Sequence, residues 1–202
     1  MTNEALFATP LPVSDVSECR FYHALDLPHS GTQQGRGDLR GRFDAYTGQV
    51  SFAGKTVLDV GTSSGFLTFE AEKRGASVVS VDATSAAEFN NIPILGSLYA
   101  DDYETSLTQD NDMLNRTKRA YWLAHREFNS KARAYYGSVY ALPDALGQFD
   151  IVMIGQILVH LTDGIRALIS ASRRCKDTLI IAEGMLQDDN PMGQFLARAE
   201  NP

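Results

Sequence analysis

The residues best suited to chemistry lie in one short loop, Gly61-Thr62-Ser63-Ser64-Gly65, which follows the apolar run Val57-Leu58-Asp59-Val60. Gly61 and Gly65 allow the backbone to turn tightly and to approach a ligand without a Cβ clash. The N–H groups at the start of the next helix can meet an anionic group. Asp59, two residues before the first glycine, suits an ammonium group. We therefore expect a small-ligand site at this loop.

A second acid supports this interpretation. Asp82 ends the β-branched run from Ser77 to Val81 and is placed to accept hydrogen bonds from both hydroxyls of a ribose. A dinucleotide site would need G-x-G-x-x-G, whereas this chain has Asp59-x-Gly61-x-x-x-Gly65. That spacing suits the methionine end of S-adenosylmethionine (SAM). The alternative is a tight turn without a ligand.

Alternating strand-like and helix-like segments must position this loop. We predict strands over 56–60, 77–82, 132–140, 149–154 and 178–182. Helices are predicted over 66–73 and from Thr162 or Asp163 to about Arg173. This order predicts an α/β fold with a Rossmann-like, doubly wound, mostly parallel sheet. Such a sheet binds its ligand at the carboxyl ends of the strands.

Two regions lie outside the alternation, and we interpret residues 1–202 as one domain that carries both. Residues 1–54 form an N-terminal extension or cap, and residues 84–131 form a helical insertion. The later half of the insertion, 112–128, places a set of mostly apolar side chains near one helical face: Leu114, Tyr121, Trp122, His125 and Phe128.

Composition narrows the functional class. The formal net charge is −7, so non-specific attraction to nucleic acid or to an anionic membrane is not expected. No signal peptide or membrane span is recognisable, and we expect a cytoplasmic enzyme. Cys19 and Cys175 are predicted to be reduced thiols. The four histidines have no metal-ligand spacing, so no metal is predicted.

Residues from about 55 to 184 resemble the class I SAM-dependent methyltransferases. The resemblance implies that SAM is the cofactor and S-adenosylhomocysteine (SAH) the product. It also implies a cofactor site in which the glycine loop lines the methionine and ribose, an acid holds the ribose and later loops reach the adenine and the methyl group. The residues concerned are Asp59, Gly61, Thr62, Ser63, Gly65, Asp82, Ala83, Ser138, Val139, Gly155 and Gln156. Ser138 stands where the family often has an aspartate.

A narrower resemblance covers most of the chain. Phe21-Tyr22-His23-Ala24-Leu25-Asp26-Leu27, the stretch 35–40 and the insertion from Tyr121-Trp122 to Ala132 are similar to one methyltransferase subgroup. That subgroup includes relatives of the bacterial enzyme that uses carboxy-SAM to modify the tRNA wobble uridine, as well as small-molecule methyltransferases. The acidic composition favours the small-molecule branch.

Several histidines and arginines are candidates for catalysis or binding. His160, after the fourth strand, is either a general base or a turn residue that holds a backbone carbonyl. Packing is favoured for His23 and His125. Arg36 and Arg40 hold the cofactor carboxylate or an anionic substrate, or are solvated. For the basic residues of the insertion, a solvated helix face is the first interpretation and an RNA contact is the second.

The predicted function is methyl transfer from SAM to an oxygen or nitrogen of a small metabolite. The alternatives are a carboxy-SAM-dependent enzyme that modifies tRNA and a non-catalytic SAM-binding or partner subunit. The class I sheet usually continues with an antiparallel strand pair, whereas only a turn over 184–190 and one short helical stretch follow the fifth strand here. We therefore expect either that the polypeptide is a fragment of a longer one, or that another element, a partner or the second subunit of a homodimer covers that strand.

Overall fold

The computed structural model describes residues 6–88 and 100–184. Its strands, in chain order, are Leu25–Leu27 (β1), Gly31–Gln33 (β2), Thr56–Val60 (β3), Ser77–Asp82 (β4), Arg133–Tyr136 (β5), Phe149–Gly155 (β6) and Cys175–Ala182 (β7). Its helices are Phe43–Tyr46 (α1), Phe66–Lys73 (α2), Ala100–Glu127 (α3) and Gly164–Ser172 (α4). Five strands form a parallel sheet in the order β5-β4-β3-β6-β7. This arrangement confirms the predicted α/β fold.

The sheet has a separate hydrophobic core on each face because successive side chains of a strand point to opposite sides. On β3, Val57 belongs to the core that contains α2, α3 and the N-terminal extension. Its neighbour Leu58 belongs to the core that contains Ala171 of α4. Both side chains are fully buried. Helices therefore cover both faces, as a doubly wound sheet requires.

The main differences from the predicted boundaries have local causes. The third core strand stops at Tyr136 rather than at residue 140, because the Ser138 side chain caps a short 3-10 turn, Val139–Ala141. The insertion helix begins at Ala100, twelve residues before the predicted start. The last strand begins at Cys175 rather than at residue 178.

The N-terminal extension folds onto the sheet. β1 and β2 form an antiparallel hairpin apart from the main sheet. Val13, Leu25, Phe43 and Phe52 are each at most 2% exposed and belong to the same core as α2. The extension therefore contributes a large part of one core.

β7 is the outermost described strand on its side of the sheet, and Ile181 on it is 47% exposed. The turn predicted over 184–190 and the stretch after it lie almost wholly outside the described residues. Cys19 and Cys175 are unpaired, as predicted. Within residues 6–88 and 100–184, no helix combines the length and the apolar character needed to cross a bilayer.

Candidate active site

The loop between β3 and α2 has a backbone that requires glycine at two positions. The φ angles of Gly61 and Gly65 are +82° and +90°. A Cβ on Gly61 would lie 2.1 Å from Cγ2 of Ile157, and one on Gly65 would lie 2.4 Å from Cε2 of Phe69. Ser63 also has a positive φ, +54°. The loop is thus packed tightly against α2 and the turn after β6.

Most amides of this loop are already hydrogen-bonded inside the protein. The N–H groups of Gly61 and Thr62 donate to the end of β4 at 2.9 and 3.0 Å, and that of Gly65 donates to the Thr62 carbonyl at 2.8 Å. The Ser63 N–H donates to Asp82 Oδ2 at 2.8 Å. The predicted role of the loop therefore depends on its shape and on the first turn of α2 more than on free loop N–H groups.

Asp59 lies beneath the loop in a network of buried hydroxyls. Its Oδ2 accepts from the Thr68 hydroxyl at 2.7 Å. Because that hydroxyl gives its only proton to Asp59, Thr62 and Ser80 donate to it, at 2.9 and 2.7 Å. Ser80 in turn accepts from Tyr121 Oη at 3.0 Å. The network joins β3, α2, β4 and α3.

This network changes what two predicted cofactor residues can offer. The Thr62 hydroxyl is used in the network, and the side chain is 6% exposed. Asp59 is completely buried, and only its Oδ1 lacks a hydrogen-bond partner among the described residues. Burial raises the pKa of Asp59 to about 6, against the lowering effect of the Thr68 and Thr62 hydroxyls. Asp59 therefore contributes to the structure of the sheet–helix interface whether or not it contacts a ligand.

Asp82 is held at the carboxyl end of β4, next to the loop. Its Oδ2 accepts from the Ser63 N–H and its Oδ1 from the Ala83 N–H, both at 2.8 Å. Burial raises its pKa, while these two N–H groups and the charge of Lys118 lower it. Each carboxylate oxygen keeps a further lone pair. The group can therefore accept two ribose hydroxyls, which stays a prediction.

A buried lysine lies beside this acid. Lys118 is 8% exposed, and its Nζ donates to the Thr84 carbonyl at 2.7 Å. The same atom lies 4.4 Å from the centroid of the Tyr136 ring. Tyr136 Oη and Trp122 Nε1 are buried here without a partner of good geometry in the described ranges. The prediction of a solvated helix face is wrong for Lys118, because this turn of α3 packs against the ends of β4 and β5.

The loop after β5 carries the two residues predicted to reach the adenine. The Gly137 N–H donates to the Asp82 carbonyl at 2.9 Å, which ties this loop to β4. Ser138 and Val139 are half-buried. The Ser138 hydroxyl accepts from the Tyr140 N–H at 3.3 Å. Its capping role uses one lone pair and leaves one for a ligand.

The turn after β6 carries the residues predicted to lie beside the transferred methyl group. Gly155 ends the strand, and the exposed Gln156 follows with a φ of +53°. His160 is half-buried in the next turn. Burial and then the charge of Arg36 lower its pKa. His160 is therefore neutral near pH 7 and able to accept a proton, although its role as a base stays a prediction.

The N-terminal extension is hydrogen-bonded directly to the glycine loop. The N–H groups of Tyr22 and His23 donate to Ser64 Oγ at 3.1 and 3.4 Å. The His23 and Phe66 rings lie 5.5 Å apart, and burial lowers the pKa of His23 to about 4. Its Nδ1 is buried and has no partner within the described residues. The extension thus covers the loop at the carboxyl end of β3.

Two other candidate side chains are occupied by structural contacts. Arg40 forms ion pairs with Asp26 and Asp38, each at 2.7 Å. This engagement within the extension favours its structural interpretation over a contact with the cofactor. His125 Nε2 lies 2.9 Å from the Ala132 carbonyl, in agreement with the packing role predicted for it.

Two residues that sequence analysis did not single out lie at the same end of the sheet. Glu183 directly follows β7, and its Oε1 accepts from the Leu158 N–H at 2.9 Å. Tyr46 ends α1, and a Cβ on Gly155 would lie 2.7 Å from its Oη. Glu183 carried the same signal as Asp82, an acidic residue directly after an apolar, strand-like run of sequence. Tyr46 carried none, because its position depends on how the extension packs.

In the part of the chain that the structure describes, no group of three or more His, Cys, Asp and Glu side chains could hold a metal ion. The candidate site is therefore a set of carboxylates, hydroxyls and imidazoles around the glycine loop. Its members come from the carboxyl ends of β3, β4, β5, β6 and β7 and from the N-terminal extension. This is the edge at which open α/β sheets bind ligands.

No protein-family model matches this chain, and no curated protein matches it. Solved structures do match. A SAM-dependent methyltransferase from Aquifex aeolicus is 17% identical over 70% of this chain and 62% of its own, with a TM-score of 0.45. The SAH-bound magnesium protoporphyrin IX methyltransferase from Synechocystis PCC 6803 is 14% identical over 71% of this chain and 52% of its own, with a TM-score of 0.46.

A TehB-like SAM-dependent methyltransferase from Corynebacterium glutamicum is 20% identical over 64% of this chain and 54% of its own, with a TM-score of 0.39. The matched part of the chain thus spans from about half to just over three fifths of the length of these three structures. The fold assignment itself rests on the strand order and the helical crossovers described above.

Proposed function

We propose that this chain binds SAM and transfers its methyl group to an oxygen or nitrogen of a small molecule. The observation that carries the proposal is the 2.8 Å hydrogen bond from the Ser63 N–H to Asp82. It joins the glycine loop to the acid at the end of the neighbouring strand. A loop suited to the methionine end and a carboxylate suited to the ribose are thereby held in one rigid unit.

The residues present fit an adenosyl ligand because several buried polar atoms at this edge need partners. These atoms are Asp59 Oδ1, His23 Nδ1, Tyr136 Oη and Glu183 Oε2, all without a partner of good geometry in the described residues. A buried polar group without a hydrogen bond is costly. A ligand with an ammonium, a ribose and a purine would offer both donors and acceptors to such atoms.

In this proposal Asp59 and the glycine loop hold the methionine end, Asp82 the ribose, and Ala83, Ser138 and Val139 the adenine. When bound, SAM supplies a methyl group made electrophilic by the sulfonium, and SAH is the product. Gly155 and Gln156 border the reacting centre. His160 takes the proton that the acceptor loses, and it is neutral at pH 7 as that step requires.

The N-terminal extension would exclude water from the reacting centre. Its hydrogen bonds to Ser64 already hold Tyr22 and His23 over the glycine loop. Displacement reactions of this kind gain most from positioning, which a closed site supports. The acceptor would enter beside the turn after β6, between this extension and the ends of β6 and β7.

A small-molecule acceptor is favoured over RNA by what the basic side chains do. The net charge is −7. On α3, Arg116 donates to the Ser17 carbonyl and Arg119 pairs with Glu18 at 2.6 Å. Both arginines are thus engaged with the extension, which leaves them less available to an RNA backbone. We further propose a cytoplasmic location and a covering element, partner or second subunit beside β7.

One specific observation favours the alternative of a carboxy-SAM-dependent enzyme that modifies tRNA. Such an enzyme requires a cation near the transferred carboxylate, and Arg36 lies close enough to His160 to lower the pKa of that histidine. A non-catalytic SAM-binding subunit is the other alternative. Methyl transfer by the isolated chain to any acceptor would eliminate it.

The test is a calorimetric titration of the chain with SAM, SAH and NAD in parallel. We expect micromolar binding of SAM and SAH, no binding of NAD, and at least a roughly tenfold weaker affinity in Asp82→Ala. Asp177→Ala, which removes an exposed acid on β7, is the matched control and should bind like the wild type. A folded protein that binds NAD, or neither adenosyl ligand, would contradict the proposal.

A further inference from the structure

Glu183 has an unusual environment for a carboxylate. It follows β7 directly, and Ala182 before it pairs with Gly155 at the end of β6. Its Oε1 accepts from the Leu158 N–H at 2.9 Å. Its Oε2 is buried and has no hydrogen-bond partner in the described ranges. One oxygen therefore fixes the side chain, and the other is left for a donor that the described residues do not supply.

Tyr46 lies beside this carboxylate. A Cβ on Gly155 would lie 2.7 Å from the Tyr46 hydroxyl oxygen. Burial, followed by the charges of Asp59 and Glu183, raises the pKa of Tyr46 to about 12. The hydroxyl therefore stays protonated at neutral pH, and the local charge around it is negative.

Among the described residues, no cation forms an ion pair with Glu183. Burial raises its pKa, and only the backbone N–H groups of Leu158 and Ile157 act in the opposite sense. Asp59, completely buried, also has a carboxylate oxygen without a partner there. Two carboxylates near one hydroxyl favour a cationic ligand.

We infer that Glu183, with Tyr46 beside it, binds an ammonium group of the acceptor, so that the acceptor is an amine. This inference rests on the proposed function. Asp59 lies under the glycine loop and serves the methionine ammonium, whereas Glu183 lies two strands away at the acceptor side. Glu183 is thus a specificity-determining residue. His160 takes one proton from the bound ammonium, and the freed lone pair of the nitrogen then attacks the methyl carbon as the C–S bond breaks and SAH leaves.

Sinefungin and SAH test the inference without knowledge of the acceptor. Sinefungin is an adenosyl ligand that carries a protonated amine where SAM carries its methylated sulfonium, and SAH carries a neutral thioether there. We would measure both dissociation constants by calorimetry for the wild type, for Glu183→Gln and for the surface control Asp177→Asn. The ratio of the two constants cancels general effects on the cofactor site.

The wild type should prefer sinefungin to SAH, and Glu183→Gln should reduce this preference about tenfold. Its affinity for SAH should change less than about twofold, which also shows that the variant is folded. Tyr46→Phe should reduce the preference by a smaller factor, and Asp177→Asn should not change it.

An unchanged preference in Glu183→Gln, or an equal loss of affinity for both ligands, would overturn the inference while leaving the proposed function intact. Absence of SAH binding by the wild type would overturn both. The two failures are therefore distinguishable.

Discussion

Two polar regions of this protein differ in how completely their hydrogen bonds are made. The interface network consists of Asp59, Thr62, Thr68, Ser80 and Tyr121, which bond to one another between the sheet and its helices. The strand-end ring consists of His23, Glu88, Tyr136 and Glu183, each with a buried polar atom that lacks a partner of good geometry within the described ranges. The network has one such atom, Asp59 Oδ1.

The two regions therefore contribute to different properties, the network to stability and the ring to ligand binding. Of the seven buried atoms without a partner of good geometry among the described residues, four belong to the ring, and Trp122 Nε1 and Arg174 Nε lie outside both regions. Closed networks stabilise a fold, whereas buried groups left open are costly unless a ligand satisfies them. The interface network therefore holds the glycine loop in place, and the ring is the part of the molecule that a ligand completes.

The largest expected effect comes from disturbing the loop above the interface network. In Gly65→Ala, the new Cβ would lie 2.4 Å from Phe69 and 2.9 Å from Tyr121, at a φ of +90°. Left-handed strain and overpacking together predict a loss of about 4 kcal/mol in the free energy of unfolding. Urea denaturation followed by circular dichroism would measure it.

The matched control is Gly41→Ala, which has a φ of +70° and no atom within 4 Å of the new Cβ. Only the backbone strain remains there, so we expect a loss of about 1 kcal/mol. Equal losses in the two variants would show that contacts with α2 and α3 do not constrain the loop.

Asp59 should give the protein an acid-side dependence of stability. Its pKa rises from 3.8 in the unfolded chain to about 6 in the folded protein, mainly through burial. The folded state therefore binds more protons than the unfolded state between these values. The contribution of Asp59 to stability is greatest below pH 4 and falls by about 3 kcal/mol as the pH rises through 6.

Comparison with Asp59→Asn isolates this effect from the other titrating groups. His23, whose pKa is lowered to about 4, acts in the opposite sense because its contribution is lost as the pH falls below 6.5. It is present in both proteins and cancels. As the pH rises from 4 to 7, the unfolding free energy of the wild type should fall relative to that of Asp59→Asn. A constant difference would mean that Asp59 is not desolvated.

The smallest expected effect concerns the link between the two regions. Ser64→Ala removes the acceptor for the N–H groups of Tyr22 and His23. We expect a loss of about 1 kcal/mol in global stability, with faster amide exchange confined to residues near 22 and 23. Ser172→Ala, which removes an exposed hydroxyl contact to Ile169, is the control and should leave that exchange unchanged.

Much of the fold could be predicted because it follows from local patterns. The runs at β3 and β4 are apolar and β-branched, and both strands were predicted with their observed bounds. The stop at Tyr136 was missed because it depends on the Ser138 hydroxyl, a cap that competes with strand pairing. The start of α3 at Ala100 was missed because its first three turns are mostly polar, with only Ala100, Tyr103 and Leu107 as apolar residues.

Site residues could be predicted where the local sequence determines their position. They were harder to predict where their position depends on how distant elements pack together. Gly61 and Gly65 could be identified from their spacing, since the turn itself demands glycine. That Thr62 faces the network, and that Lys118 is buried beside Asp82, depend on how α2 and α3 dock on the sheet. Tyr46 could not be found from sequence, because no local pattern indicates where α1 lies.

The most direct test of the central claim is amide hydrogen exchange of the chain with and without saturating SAH. If a ligand completes the strand-end ring, exchange should slow at 61–65, 82–84, 137–139 and 155–160, and at the Tyr22 and His23 amides that cover the loop. The interior of α4, none of whose residues is assigned to the site, should change less. Bound SAH without slower exchange at these segments, or with protection concentrated on α4, would contradict the account.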